Sequence, residues 1–221
     1  MKVVIVVATT SHEKYASVIC TMIEEAAQLR GTGIAKREPA YIERKIHEGK
    51  AAIALEGEKV VGFCYIESWE DTKFVANSGL IVHPDYRNTG LAKKIKSTVL
   101  ELSKNKFPNA KVFGITTSLA VMKINSELGY KPVTFSELTV DETFWKGCQG
   151  CSNFDILQRT NKKMCLCTGM VYDPLAKPSI ESGKKKSSQS WEQFKTFLAN
   201  RKTNLHQMTH FYPKISKILH K

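Results

Sequence analysis

Apolar and polar positions along this chain recur with two periods, and the switches between them lay out the elements. Residues 3–7, Val-Val-Ile-Val-Val, form an apolar run of strand length. Thr10 or Ser11 is placed to cap the helix that follows, along which Tyr15, Val18, Ile19, Met22, Ile23, Ala26 and Leu29 share one face. After a turn over 30–37, Pro39 at an early helical position predicts a second helix over 40–48, stopped by Gly49. Strands are expected over 51–55, 59–68 and 73–82, joined by the polar turns Glu56-Gly57-Glu58 and Glu70-Asp71 in the manner of antiparallel neighbours. A helix then carries Leu91, Ile95, Val99 and Leu102 in one stripe. It is followed by a strand over 111–115, a helix over 118–128 ending at Gly129, and a last strand over 134–140.

The sharpest of these switches is the one from Leu80-Ile81-Val82 through His83-Pro84-Asp85-Tyr86 to Leu91, where strand, turn and helix meet within about a dozen residues. The first turn of a helix leaves backbone N–H groups without intrahelical acceptors and carries the positive end of the dipole, so this corner suits an anion. Gly90 has no side chain to block a phosphate, Ala92 has only a methyl, and Arg87 adds a fork-shaped cationic donor.

Arg87-x-x-Gly90-x-Ala92 after a strand resembles the acyl-CoA diphosphate loop, Q/R-x-x-G-x-G/A, of the GNAT superfamily of N-acetyltransferases. The same six-residue template fits Arg30 to Ala35, but only the downstream copy follows a strand and opens a helix. The order of elements over residues 3–140 is also similar to that family's. The resemblance implies an α/β (α+β) fold with a central mixed, mostly antiparallel sheet flanked by helices. It implies acetyl-CoA as acyl donor, held by the backbone around Leu80, Ile81, Val82, Arg87, Asn88, Thr89, Gly90, Leu91, Ala92 and Lys93, with an amide near Leu80 or Ile81 polarising the thioester.

Direct transfer to an amine needs a base and a way to protonate the leaving thiolate. Glu67, near the end of a meander strand, is the candidate base, acting through water; a solvated strand end is the alternative. The family's usual proton donor is a tyrosine in the helix after the 111–115 strand, and the corresponding position is Asn125, which is no acid at neutral pH. Tyr65 or Tyr130 could supply the proton, or the thiolate could leave unassisted. His83 reads as a solvent-facing turn residue.

In this family the acceptor site is usually built from the first two helices and their connection. Here that connection offers Arg30, Lys36 and Arg37, which suit a carboxylate-bearing acceptor, or else belong to a solvated loop. The arrangement resembles the short N-acetylglutamate synthase type, so a small-molecule amine acceptor such as glutamate is expected. A protein lysine or amino terminus is the second choice, and a CoA-binding regulatory protein that lacks catalysis is the alternative of another class.

Four of the six cysteines fall in Cys148-x2-Cys151 and Cys165-x-Cys167. Their spacing allows one structural zinc; cysteines packed in a reduced core, or redox pairing, fit as well. Cys20 and Cys64 lie in apolar runs and read as core.

The formal charge of +12 changes this picture little, because residues 177–221 hold ten Lys or Arg against two acidic residues. That balance argues against a nucleic-acid partner for the folded part, while a mild positive bias suits a polyanionic cofactor. No apolar run reaches eighteen residues, so no membrane span is expected, and the opening run lacks a secretion-signal pattern; a cytoplasmic enzyme is the expectation. Three segments follow: an acetyltransferase-like domain over 1–140, a Cys-rich extension packed on it over 141–176, and a basic linker with a C-terminal helix over 177–221. Trp191, Phe194 and Leu198 line one side of that helix, which leaves open docking on the domain, pairing in a homodimer, or another partner.

Overall fold

A computed structural model of the chain describes residues 2–30, 36–69 and 72–176. The expected C-terminal helix, the loop 31–35 and the side chain of Arg30 lie outside these residues.

Seven strands form one sheet in the order β1-β2-β3-β4-β5-β7-β6: β1 Val4–Val7, β2 Ala51–Glu56, β3 Lys59–Ser68, β4 Phe74–Val82, β5 Lys111–Thr116, β6 Lys131–Val133 and β7 Thr168–Tyr172. All neighbours are antiparallel except β4 and β5, which run parallel. The mixed, mostly antiparallel sheet expected from the sequence is thus what the chain forms. The turn between β2 and β3 uses Gly57 at φ +60°, a conformation that favours glycine.

The period-2 pattern sends alternate residues to two packed layers. Ala51, Ile53, Phe63 and Tyr65 meet Ile19, Met22, Ile23 and Ala26 of α1 (Ala16–Arg30) and Ile42 and Ile46 of α2 (Pro39–His47). Ala52, Ala54, Cys64 and Ile66 face Leu91, Ile95, Val99 and Leu100 of α3 (Leu91–Lys106) on the other side. A 3-10 helix, Thr10–Tyr15, precedes α1, and Thr9 rather than Thr10 or Ser11 stands at its start in a reciprocal box with His12. The expected α1 stripe is narrower than the sequence suggested: Val18 and Leu29 are exposed, and Ala16 takes the buried place.

The strand expected over 134–140 does not form. Phe135–Glu137 is a 3-10 turn, started by Thr134 and closed by the Glu137 carboxylate, which accepts from Thr134 N at 2.9 Å. This local box satisfies backbone donors that a strand would have paired across the sheet. The vacated place is filled by β7, which inserts between β5 and β6 with Phe113 opposite Val171 and Val133 opposite Gly169. The segment from 141 to 176 therefore supplies a strand to the sheet, after the short helices α5 (Glu142–Lys146) and α6 (Phe154–Arg159). Its third apolar cluster gathers Phe113, Phe135, Leu138, Trp145, Leu157 and Val171, and the buried Trp145 donates Nε1–H to Thr139 O at 3.0 Å. Between β5 and β6 lies α4 (Leu119–Glu127), capped by Ser118, whose Oγ accepts from Val121 N.

Candidate active site

At the end of β4 the chain turns through a 3-10 helix, Pro84–Tyr86, and reaches Gly90 as the residue before α3. Gly90 stands at φ +79° and offers no side chain to cap the helix; a Cβ there would meet nothing within 4 Å. The first-turn amides of Leu91, Ala92 and Lys93 thus lack a side-chain acceptor and sit beside open space. Asn88 shares the left-handed region at φ +62°, and Thr89 Oγ1 ties the turn by donating to Tyr86 O at 2.7 Å. Arg87 folds back toward Val82 O, with Nε at 3.4 Å. The side chains of Val82 and Leu91 are buried in the core, so at those two positions only the main chain is available to a ligand.

β4 and β5 pair only from Phe74 with Lys111 to Ala76 with Phe113, after which they part. β5 fills its other edge with β7 as far as Thr116, so the edge from Gly114 onward faces a gap toward β4. The ladder between β3 and β4 slips at the same height: Phe63 faces Ile81 but Tyr65 faces Ser78. The extra β4 residue makes a bulge at Gly79 and Leu80, which takes main-chain groups out of the ladder. Gly79 stands at φ +65° against Tyr65, whose Cε1 would lie 2.4 Å from an added Cβ.

A cavity of about 590 Å³ opens on this gap; its lining includes Ser78, Gly79, Leu80 and Ile81 of β4 and Lys36, Arg37, Tyr41, Arg44 and Glu67. Glu67, near the end of β3, accepts from Lys45 Nζ at 2.7 Å and from the Tyr41 hydroxyl. Burial pushes its carboxyl up to about 7, against the Arg37 guanidinium, which pulls it down. Burial likewise pushes the Lys45 amine down to about 8, the Glu48 carboxylate opposing. Arg37 Nε donates to Tyr65 OH at 2.8 Å, and both Arg37 and Arg44 lie over the ring of Tyr41. The solvated strand end weighed for Glu67 is therefore not its setting. The sequence reading missed Lys45, Tyr41 and Arg44; Lys45 could have been found, since it precedes Ile46 and follows Ile42 by three on the buried stripe of α2.

Asn125 of α4 is buried beside the same cavity. Its Nδ2 donates to Met170 Sδ at 3.6 Å, and its Oδ1 has no partner. Of the tyrosines considered as an acid, Tyr130 spends its hydroxyl proton on Asn77 Oδ1 at 2.8 Å, Tyr65 accepts from Arg37 Nε and keeps its own, and neither lines the cavity. A residue the sequence reading passed over, Lys96 of α3, is buried and also lines the cavity. Its Nζ lies 5.0 Å from the centre of the Tyr130 ring, and burial pushes its amine down to about 8, with Cys64 opposing.

Cys148, Cys151, Cys165 and Cys167 all line the cavity, near the aromatic cluster. All six cysteines are free thiols. Burial first, then the neighbouring thiols, push Cys148 up to about 11 and Cys167 up to about 12. Among the described residues no group of three or more His, Cys, Asp or Glu side chains is disposed to hold a metal ion, so the zinc read from the spacing is without support. No helix among the described residues is long and apolar enough to cross a membrane.

Residues 20–121 match the family described as Acetyltransferase (GNAT) family. No curated protein matches the chain. Among solved structures, N-acetylglutamate synthase from Neisseria gonorrhoeae, complexed with coenzyme A and N-acetyl-glutamate, is 16% identical with a TM-score of 0.58. That match covers 80% of this chain and 36% of the synthase, so this chain spans about a third of its length. A Mycobacterium tuberculosis protein in complex with CoA is 15% identical with a TM-score of 0.54, over 77% of this chain and 98% of that one. The yncA protein of Salmonella typhimurium, with its cofactor acetyl-CoA, is 12% identical with a TM-score of 0.54, over 83% and 100%. At these identities the likeness is one of fold.

Proposed function

We propose that this chain, whose residues 20–121 match the GNAT acetyltransferase family, moves an acetyl group from acetyl-CoA to the amine of a small, carboxylate-bearing amino acid of the glutamate kind. The observation that carries the reading is that Ser78 to Ile81 at the β4–β5 gap line one cavity together with Glu67, Lys36, Arg37 and Arg44. The gap can receive a thioester, and the residues around Glu67 an acceptor with both an amine and a carboxylate.

In this reading the open amides from Asn88 to Lys93 hold the diphosphate, and main-chain N–H groups at the Gly79-Leu80 bulge polarise the thioester carbonyl. Glu67, with a carboxyl near 7, takes a proton from the acceptor ammonium at neutral pH, directly or through water. Lys45 and Tyr41 fix the carboxylate in place, while Arg37 and Arg44 offer forked donors to the acceptor's carboxylate. Arg30, expected to share that task, ends α1. The gonococcal synthase structure, which holds coenzyme A together with N-acetyl-glutamate, supports the choice of acceptor by likeness of fold. Six free thiols support a reducing, cytoplasmic setting.

Release of free thiol from acetyl-CoA, followed over a pool of amino acids and short peptides, tests the proposal. Turnover with glutamate or another acidic amino acid, and less with peptides, is expected. Turnover only with peptides would move the acceptor to protein amines. The absence of the family's tyrosine at Asn125 favours a second reading, a domain that binds CoA without turnover, and CoA binding with no thiol release across the whole pool would select it.

A further inference from the structure

The reaction proposed above has a base but, at the family's usual position, no acid, because Asn125 holds no proton to give. Lys96, on the wall of the same cavity, does hold one. Lys96 lies on the inner face of α3 between Ile95 and Val99, with only 2% of its surface exposed. No ion pair or hydrogen bond ties it to another described residue; its neighbours are the ring of Tyr130 and the thiol of Cys64. A buried cation with no counter-ion is costly to the fold, and one that persists beside a cavity points to a ligand that repays it.

The place it occupies is the fork of the sheet. Gly114 is the first β5 residue beyond the last β4 pair, and a Cβ added there would come within 3.8 Å of Lys96 Nζ. The missing side chain leaves the ammonium facing the gap, with Asn77 on the other strand. Asn125 Oδ1 is a second, independent sign: it is a buried acceptor without a partner, on the wall of the same cavity. A lysine ammonium with no counter-ion and an amide oxygen with no partner thus line the cavity that opens where the strands part.

We propose that Lys96 is the proton donor to the departing coenzyme A sulfur. The acceptor amine attacks the thioester carbon, and when the tetrahedral adduct collapses the carbon–sulfur bond breaks with its electron pair on sulfur. A proton from the Lys96 ammonium forms the new S–H bond, leaving coenzyme A as the thiol and Lys96 as the neutral amine, which regains a proton from water after release. An amine near 8 facing a thiol of about 8.5 makes that transfer close to even in free energy, the condition under which a general acid works best.

The inference rests on the proposed acetyl transfer, and the variant Lys96→Met separates the two, since methionine keeps the volume and removes the charge. For the full chain, kcat with acetyl-CoA is expected to fall by about 100-fold or more, with KM for acetyl-CoA within about twofold. Thermal stability should hold or rise, because an uncompensated buried charge is gone. A readout free of turnover compares coenzyme A with desulfo-coenzyme A by calorimetry. The wild type should prefer the thiol by about tenfold and the variant should show no preference. Retained kcat in the variant, or an unchanged preference, would overturn the proposal; so would a fall in activity accompanied by lost stability and lost coenzyme binding, which is the pattern of a purely structural lysine. If the wild type itself releases no thiol with any amine, the acetyl-transfer reading fails while the desulfo comparison still reports whether Lys96 meets the sulfur.

Discussion

The β4–α3 corner and the part of the cavity around Glu67 are built on different physics. At the β4–α3 corner the groups on offer are main-chain amides on an exposed turn, where a left-handed glycine leaves the helix without a side-chain cap. At the Glu67 end they are side chains: Glu67, whose carboxyl burial pushes up to about 7, and Lys45, whose amine it pushes down to about 8, with Tyr41 and Arg37 beside them. The first design depends on the shape of the backbone and tolerates most side chains; the second depends on each side chain and on pH. Substitutions can therefore break the comparison in an ordered way.

The largest effect is expected from Gly90→Asp. It places a carboxylate and a strained left-handed residue against the diphosphate, and it should abolish thermal stabilisation by coenzyme A, a loss of at least about 100-fold in affinity. Retained stabilisation would count against a main-chain diphosphate site. Next, Glu67→Gln should lower kcat by about 100-fold to 1,000-fold while coenzyme A affinity, measured by calorimetry, stays within about twofold. The pH profile follows from the same residue. The working form is the carboxylate, so kcat/KM should rise about tenfold per pH unit below about 7 and level off above it; the glutamine variant should lack this limb. A wild-type limb near 4.5 would mean that the base lies in water.

A third substitution sharpens the contrast at the donor end. Arg87→Ala leaves the main chain of the proposed diphosphate site in place, so only about a tenfold loss in coenzyme A affinity is expected by calorimetry, far less than for Gly90→Asp. Equal losses would mean that the side chain, not the backbone, binds the diphosphate. Arg37→Met should raise KM for an acidic acceptor about tenfold in the thiol-release assay with little change for acetyl-CoA. The smallest effect on chemistry is expected from Trp145→Ala, which empties the third cluster and should cost about 3–5 kcal/mol in a denaturant titration without moving the pH limb.

The same division decides what could be read from the sequence. The β4–α3 corner was legible because a strand, a glycine and an amphipathic helix in close succession leave the backbone few other routes. The meander 51–82 was legible from its alternation and its short polar turns. The strand expected over 134–140 failed because Thr134 and Glu137 close a local box, and such short-range bonding competes with ladder pairing. Its replacement, β7, comes from about thirty residues further on, a long-range pairing that periodicity cannot specify. The cysteine spacing told that four thiols would gather but not that their arrangement would leave a metal unsupported. Lys45 was hidden in the charged run Glu43-Arg44-Lys45 and Lys96 beside Lys93 and Lys94; only their place on an apolar stripe, next to Ile46 and Ile95, marks them as buried.

The most direct test of the account is a crystal structure of the chain with coenzyme A bound. It should show the diphosphate on the amides between Asn88 and Lys93, with the pantetheine arm lying in the gap between β4 and β5 and the sulfur near Gly79 and Leu80. Coenzyme bound at another surface, or a gap filled by protein side chains with the Gly90 corner empty, would contradict it.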